Sequence, residues 1–460
     1  MKQNNKNYLF FNFNPVIENK IINKSDLTIE SVYNITLENN IIEPVHDFTD
    51  IFELIIDKQN LESFYDENKD ILNQLTDIKF YEFIYDKNYY ERVFVLTQNY
   101  KLYEIDKSLN IIVDLNIKFS SEPKTFIRDN KIYFLSKNDI LIYFEKFENP
   151  VFISSFCNIE KVCTHDKYLY FTTGEEPFKI FSTENQELSN ISDDLSYFEY
   201  FELNSNDGKI LEILNFKDNL YIVQQYNITK MTLHSGKFTL HSYCKIESRI
   251  FENTISQIDD YILIYTTSGL YIFDGNDFKQ IFSNITKKIC NNQNQAVSFN
   301  NKYYLTTKLL INDKIESVLL EFNLENNICN IYKIGKIKNI YVSKTISEYN
   351  LFINVEENNN SMLLFYNNNY NSINKKYIKF NKMTFDDTFV KTLNSIKFIC
   401  NGKFYINIGS DISNIQLSST NYTRMSNLGL RGSYFQIEIF GDEQFFIESF
   451  LIEISNVGEY

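Results

Sequence analysis

The residues best suited to nucleophilic or metal chemistry in this 460-residue chain are its four histidines and six cysteines. Cys163-Thr164-His165 sets a thiol and an imidazole two residues apart, a spacing that puts both on one face of a strand. A thiolate nucleophile needs such a base beside it. The sequence identifies no third member, so the pair carries no catalytic assignment. His234 and His241 flank a Ser-Gly turn, and a hairpin would bring them together. Without a carboxylate at defined spacing they read as a surface pair and not as a metal site. The remaining histidine is His46. Cys157, Cys163, Cys244, Cys290, Cys329 and Cys400 form no CxxC pair, which points to reduced, partly buried thiols and to neither a disulfide framework nor a zinc knuckle.

Carboxylates are no better a guide, because 60 Asp and Glu residues bring acid pairs within glycosidase distance almost anywhere in a compact fold. The stretch NSNDGKI, Asn204 to Ile210, contains an Asp-Gly like that of a calcium loop, but Leu203 and Leu214 stand where the first and twelfth ligands belong. Asp207-Gly208 and Asp274-Gly275 read instead as hairpin turns. Neither a Gly-rich phosphate loop nor GxSxG nor HExxH occurs. The expectation is a protein that is not an enzyme, with no catalytic, cofactor-binding or metal-binding residue and no cofactor. Two basic clusters, KKYIKFNK (Lys375 to Lys382) and KIGKIKN (Lys333 to Asn339), read as strand edges on which Lys discourages further pairing.

The elements that must position any site are strands. Composition is lopsided: 41 Phe and 33 Tyr accompany no Trp, 12 Gly and 5 Pro. Asn, abundant here, is the next best residue after Gly at left-handed turn positions, so it punctuates where Gly is missing. A net charge of −15 argues against a protein that wraps nucleic-acid phosphates or clings to anionic lipid. The first apolar run, Tyr8 to Phe11, has four residues, short of the roughly 7–15 of a secretory signal. No run approaches the ~18–20 apolar residues of a membrane span, and folding in a cytoplasm is expected.

A strand-turn-strand unit recurs along the chain. Its clearest copies run from Asp129 to Glu145, Asp166 to Ser182, Lys217 to Leu233 and Asp259 to Gly275. Looser ones run from Tyr90 to Asp106, Asn300 to Asn323 and Glu348 to Asn367. Matched positions Phe94, Tyr133, Tyr170, Tyr221, Ile262, Tyr304 and Phe352 lie 37 to 51 residues apart. That period fits a propeller blade of four short strands, and the β-branched, aromatic, locally alternating runs exclude a helical solenoid. The fold class expected is therefore all-β, with about seven propeller-like repeats. One such sheet cannot bury both faces, so neighbours must stack around an axis. Aromatic side chains are core by default.

Three regions follow: an N-terminal arm over residues 1–75, a β-propeller over 76–375, and a C-terminal β-sandwich or docked sheet over 376–460. Asp47 to Leu75 has roughly helical spacing. Before it, NYLFFNF and SDLTIESVYNITL read as extended segments able to join a sheet, in this subunit or another. At the other end, Phe435, Ile437 and Ile439 share one strand face, and Phe450, Ile452 and Ile454 share one face of the last strand.

Three stretches, Ile255 to Ile289, Asp313 to Ile337 and Leu428 to Ile454, resemble the tail hub and packaged-DNA stabilisation proteins of short-tailed bacteriophages. The resemblance implies a virion component assembled in the host cytoplasm. Identical copies would form a ring around the DNA channel below the portal, touching other tail or portal proteins and, transiently, packaged DNA. The competing expectation is a glycan-binding or adhesive propeller using exposed Tyr, Asn and Asp.

Overall fold

The computed structural model describes every residue except 1–6, 18–25, 37–40, 46, 57–58, 86–87, 107–108, 110, 129–130, 138, 145–150, 155–157, 166–167, 185–194, 235–236, 287–288, 290–293, 312–313, 326, 345–348, 358–359, 368–374, 385–389, 421–422 and 457–460. Seven four-stranded antiparallel sheets follow one another along the chain. Their first strands are Leu75–Tyr85, Lys124–Arg128, Ile159–His165, Ile210–Phe216, Ser256–Ile258, Gln295–Phe299 and Lys336–Lys344. The seven hairpins recognised in the sequence form the second and third strands of these sheets.

The second strand explains why the sheets form a ring. Side chains alternate across a strand, and here both faces are apolar. Leu169 and Phe171 pack toward the second sheet while Tyr170, between them, packs toward the fourth. Ile262 and Ile264 face the fourth sheet, and Leu263 and Tyr265 the sixth. Each pair of adjacent sheets thus shares an apolar cluster, including the seventh with the first through Phe352, Val93 and Val95. All seven matched positions are buried, none more than 2% exposed. A pair of stacked sheets would leave two such faces in water, and at ~25 cal/mol per Å2 closing the circle removes both penalties. The fold is a seven-bladed β-propeller.

Closure has two fasteners. The outer strand of the seventh sheet is Asp47–Asp50, from near the chain's beginning, paired antiparallel with Asn360–Asn367. Phe48 on it meets the rings of Tyr332 and Tyr366 edge-on. On the axial side, the fully buried Asn354 of the seventh sheet donates from Nδ2 to the carbonyls of Leu75 (3.2 Å) and Thr76 (2.9 Å) in the first. Two short helices, Phe52–Ile55 and Leu61–Leu72, connect the closing strand to the first sheet. Phe52 and Phe64 bury their rings in the cluster between the seventh and first sheets.

The sixth sheet holds a buried carboxylate. Glu321 is 0% exposed. Lys302 Nζ (2.9 Å) and Asn330 Nδ2 (2.9 Å) donate to one oxygen, and the Tyr304 (3.0 Å) and Tyr332 (2.7 Å) hydroxyls to the other. Four donors offset the desolvation that would make a lone buried charge untenable.

The second β element is a nine-stranded sheet whose pairings close on themselves. Asn7–Ile17 pairs parallel with Asp26–Tyr33, and every other pairing is antiparallel. The 20-residue strand Lys391–Ser410 bends so that its first half pairs with Phe445–Asn456 and its second with Tyr434–Gly441. The two closing strands therefore bond to that long strand and not to each other across Gly441-Asp442. The interior contains Phe435, Ile437, Ile439, Phe450, Ile452 and Ile454, the residues the alternation put on one face. The extended segments near the N-terminus join this chain's own sheet. Lys376–Phe380 is an inner strand between Asp26–Tyr33 and Tyr434–Gly441, not an edge. Lys376, fully buried there, reaches the Asp442 carbonyl with its ammonium at 2.9 Å.

Propeller and second element share one apolar core, in which Tyr303, Leu305 and Phe322 of the sixth sheet join Phe398, Phe404 and Phe450. Asn34 sits at the junction with φ 57°. Its amide donates to the Ile331 carbonyl, and its side chain bonds to Lys333 and to the Lys375 carbonyl. Of the ten described non-glycine residues at positive φ, six are Asn, so Asn does stand at left-handed turns. Among the described residues no helix is long and apolar enough to cross a membrane.

Asn354→Leu keeps the volume but removes a buried donor from the Leu75 and Thr76 carbonyls, and stability should fall by about 2 kcal/mol, read as a lower urea midpoint with unchanged m-value. Burial holds the Tyr303, Tyr304 and Tyr332 hydroxyls well above the ordinary value of 10.0, with the Glu321 charge adding to it for the last two. Above pH 10 the unfolded chain releases these protons and the folded chain keeps them. Their stabilisation is therefore intact below the unfolded value and lost as pH rises toward the folded ones. Tyrosinate absorbance should show these three hydroxyls ionising only with alkaline unfolding.

Candidate axial site

The innermost strands of the sheets begin at one end of the propeller, and basic residues gather over part of that end. A cavity of about 640 Å3 opens among the fourth to seventh sheets. Its walls include Lys209, just before the fourth sheet's inner strand, Arg249 ahead of the fifth, Lys308 of the sixth, and Lys336 and Lys338 on the inner strand of the seventh. Lys209 is held by Glu252 at 2.7 Å, and Lys336 and Lys338 by Glu356 at 2.5 and 3.2 Å. Arg249 and Lys308 are exposed, and no ion pair holds either among the described residues. Thr307, 4% exposed, is part of the same cavity wall, and its buried hydroxyl makes no hydrogen bond within the described structure.

A second cavity of about 460 Å3 adjoins the first, and both are lined by Glu252, Asn253 and Gln295. Its sign is opposite, with Glu122, Glu160, Glu212 and Glu252 around a single Lys161. Lys161 is buried, its ammonium 3.3 Å from Glu212 and 3.9 Å from Glu252. The series Glu212, Lys161, Glu252, Lys209 thus runs from one cavity into the other.

Local backbone geometry aims these groups. The inner strands of the first, third, fourth and seventh sheets each slip register by one residue near their start, between Leu75/Asp77, Ile159/Lys161, Ile210/Glu212 and Ile337/Asn339. Such a bulge redirects the extra side chain. Three of the extra residues, Glu160, Leu211 and Lys338, line the cavities. Gly208, at φ 80°, lies where a Cβ would meet the Gln225 side chain, and Gln224 donates to its carbonyl at 2.7 Å. Asp207-Gly208 is therefore a connection between the third and fourth sheets and not a hairpin turn. Asp274-Gly275 does join the third and fourth strands of the fifth sheet, with Asp274 Oδ1 accepting from the Asn276 and Asp277 amides.

The residues singled out for chemistry do not assemble. Cys163 and His165 lie on the inner strand of the third sheet, but the Cys163 thiol bonds weakly to the Thr164 carbonyl. Burial first, and the Glu212 charge second, push that thiol up to about 12, so it is not a thiolate at neutral pH. His234 pairs with Lys237 and His241 with Lys230. The hairpin thus leaves the two histidines four positions apart in register, about 13 Å along the strands. His46, Cys157 and Cys290 lie outside the described residues. Among the described residues no group of three His, Cys, Asp or Glu could hold a metal ion.

The sequence reading missed the basic cavity. Lys336 and Lys338 do stand on an edge strand, but that edge faces the axis. Lys209 comes just before an inner strand and Arg249 precedes one across the turn Glu252–Thr254, a signal readable only once those strands are placed.

No protein-family model matches the chain, and no curated protein does. Among solved structures it is similar to the WD40 domain of Neurospora crassa Pan2, at 9% identity over 70% of this chain and 97% of that one, TM-score 0.41. It is also similar to YCF48 bound to D1 peptide, at 10% identity over 64% and 92%, TM-score 0.40. A third likeness is to BBS1N in complex with ARL6DN, at 8% identity over 60% and 87%, TM-score 0.38.

Cys163 should resist iodoacetamide at pH 7.5 in the folded protein and react only in denaturant, with peptide mass spectrometry as the readout.

Proposed function

We propose that this protein is a non-catalytic structural subunit of a larger assembly, the tail hub region of a short-tailed bacteriophage being the assembly that its resemblance suggests. The observation that carries this reading is mechanical. Propeller and second element are fused through one apolar core, and the segment leading to the propeller's closing strand is bridged antiparallel to the second element between Ile42 and Ile447. Interiors packed at crystal-like density transmit load with little compression, so the chain behaves as one stiff block, as a ring subunit requires.

In such a ring the DNA passage lies between copies and not along the propeller axis. The axial cavities are of small-molecule size, far narrower than a duplex. The net charge of −15 keeps the walls of such a passage from holding phosphates.

Mass photometry and negative-stain electron microscopy of the purified full chain should show closed rings of one uniform copy number. A monomer at every concentration up to about 50 μM, a range that covers ordinary micromolar association, overturns the ring. Monomer that binds a polysaccharide array favours the adhesive reading instead.

A further inference from the structure

We infer that the basic cavity at the axial end is a binding site for a compact polyanion, a small ligand with several clustered phosphate or carboxylate groups. Five cations on or ahead of four successive sheets converge on about 640 Å3 in a chain whose net charge is −15. Random placement of 45 basic residues among 60 acidic ones does not favour such segregation. It also has an energetic cost, because like charges gathered in a concave wall repel one another. Glu252 and Glu356 relieve that repulsion at Lys209, Lys336 and Lys338, and Arg249 and Lys308 are left to be neutralised by something else.

Thr307 is the second, independent observation. A buried hydroxyl without a partner is destabilising, and Thr307 in the cavity wall carries one, with no partner within the described structure. An anionic oxygen that reaches both this hydroxyl and the Arg249 guanidinium would satisfy them through charge-assisted hydrogen bonds. The neighbouring cavity sets the ligand's size. Glu122, Glu160 and Glu212 line it, so a long polyanion threaded along the axis would meet carboxylates, whereas a compact one stays in the basic half. Several separated cations suit several anionic groups better than one.

The test is isothermal titration of the full-length protein with sodium tripolyphosphate and, separately, with citrate. At least one should bind with one site per chain in the micromolar range, and the tighter of the two identifies phosphate or carboxylate as the recognised chemistry. The double variant R249A/K308A, at two exposed positions, should weaken binding roughly 10- to 100-fold with unchanged circular dichroism. Thr307→Val removes the orphaned hydroxyl at equal size. It should raise the melting temperature of the free protein while weakening binding several-fold, a pairing that a purely structural threonine would not produce. Binding of neither probe below about 1 mM, or binding indifferent to R249A/K308A, overturns the site. The outcome does not depend on whether the chain forms rings.

Discussion

A β-sheet with two apolar faces cannot end anywhere, and that constraint governs this molecule. In each of the seven sheets the second strand is apolar on both sides, so every sheet needs a neighbour left and right. Only a circle supplies that. The stability of any one sheet is therefore conditional on the ring, and the groups that hold the seventh sheet to the first matter beyond their own energies. Asn354 does this on the axial side, and Asp47–Asp50 does it at the rim.

The rim fastener ties distant parts of the chain together. The strand that completes the seventh sheet comes from before the first, so the circle cannot close until about 300 intervening residues have been laid down. The second element repeats the device, since Asn7–Ile17 and Asp26–Tyr33 complete a sheet whose other strands all lie beyond residue 375. Contacts of such separation are slow to form but bind both chain ends into the folded core. Asn34 links the two elements because its left-handed backbone frees its amide and side chain to reach partners in both.

Charge is distributed against the overall balance. The acidic residues dominate the chain, yet one cavity collects lysines and an arginine while the adjoining one collects glutamates. Lys161, buried between Glu212 and Glu252, marks the boundary. A sign reversal over so short a distance gives a steep local field, and fields of that kind discriminate ligands by where their charges sit as well as by how many they carry.

What could be read from residue order is whatever repeats locally. Two-residue alternation and β-branched, aromatic runs marked the seven hairpins and the buried faces of Tyr434–Gly441 and Phe445–Asn456, because in-or-out is decided by the pleat. Scarce glycine pointed to asparagine at left-handed turns, as at Asn300 and Asn301. Partners were not legible. Nothing local says that the last two strands bond to Lys391–Ser410 and not to each other, that Lys376 is interior, or that Lys209, Arg249 and Lys336 converge. Pairing and convergence depend on which surfaces meet after the chain has travelled a full circle, and neither a periodicity nor a motif within a few residues encodes that meeting.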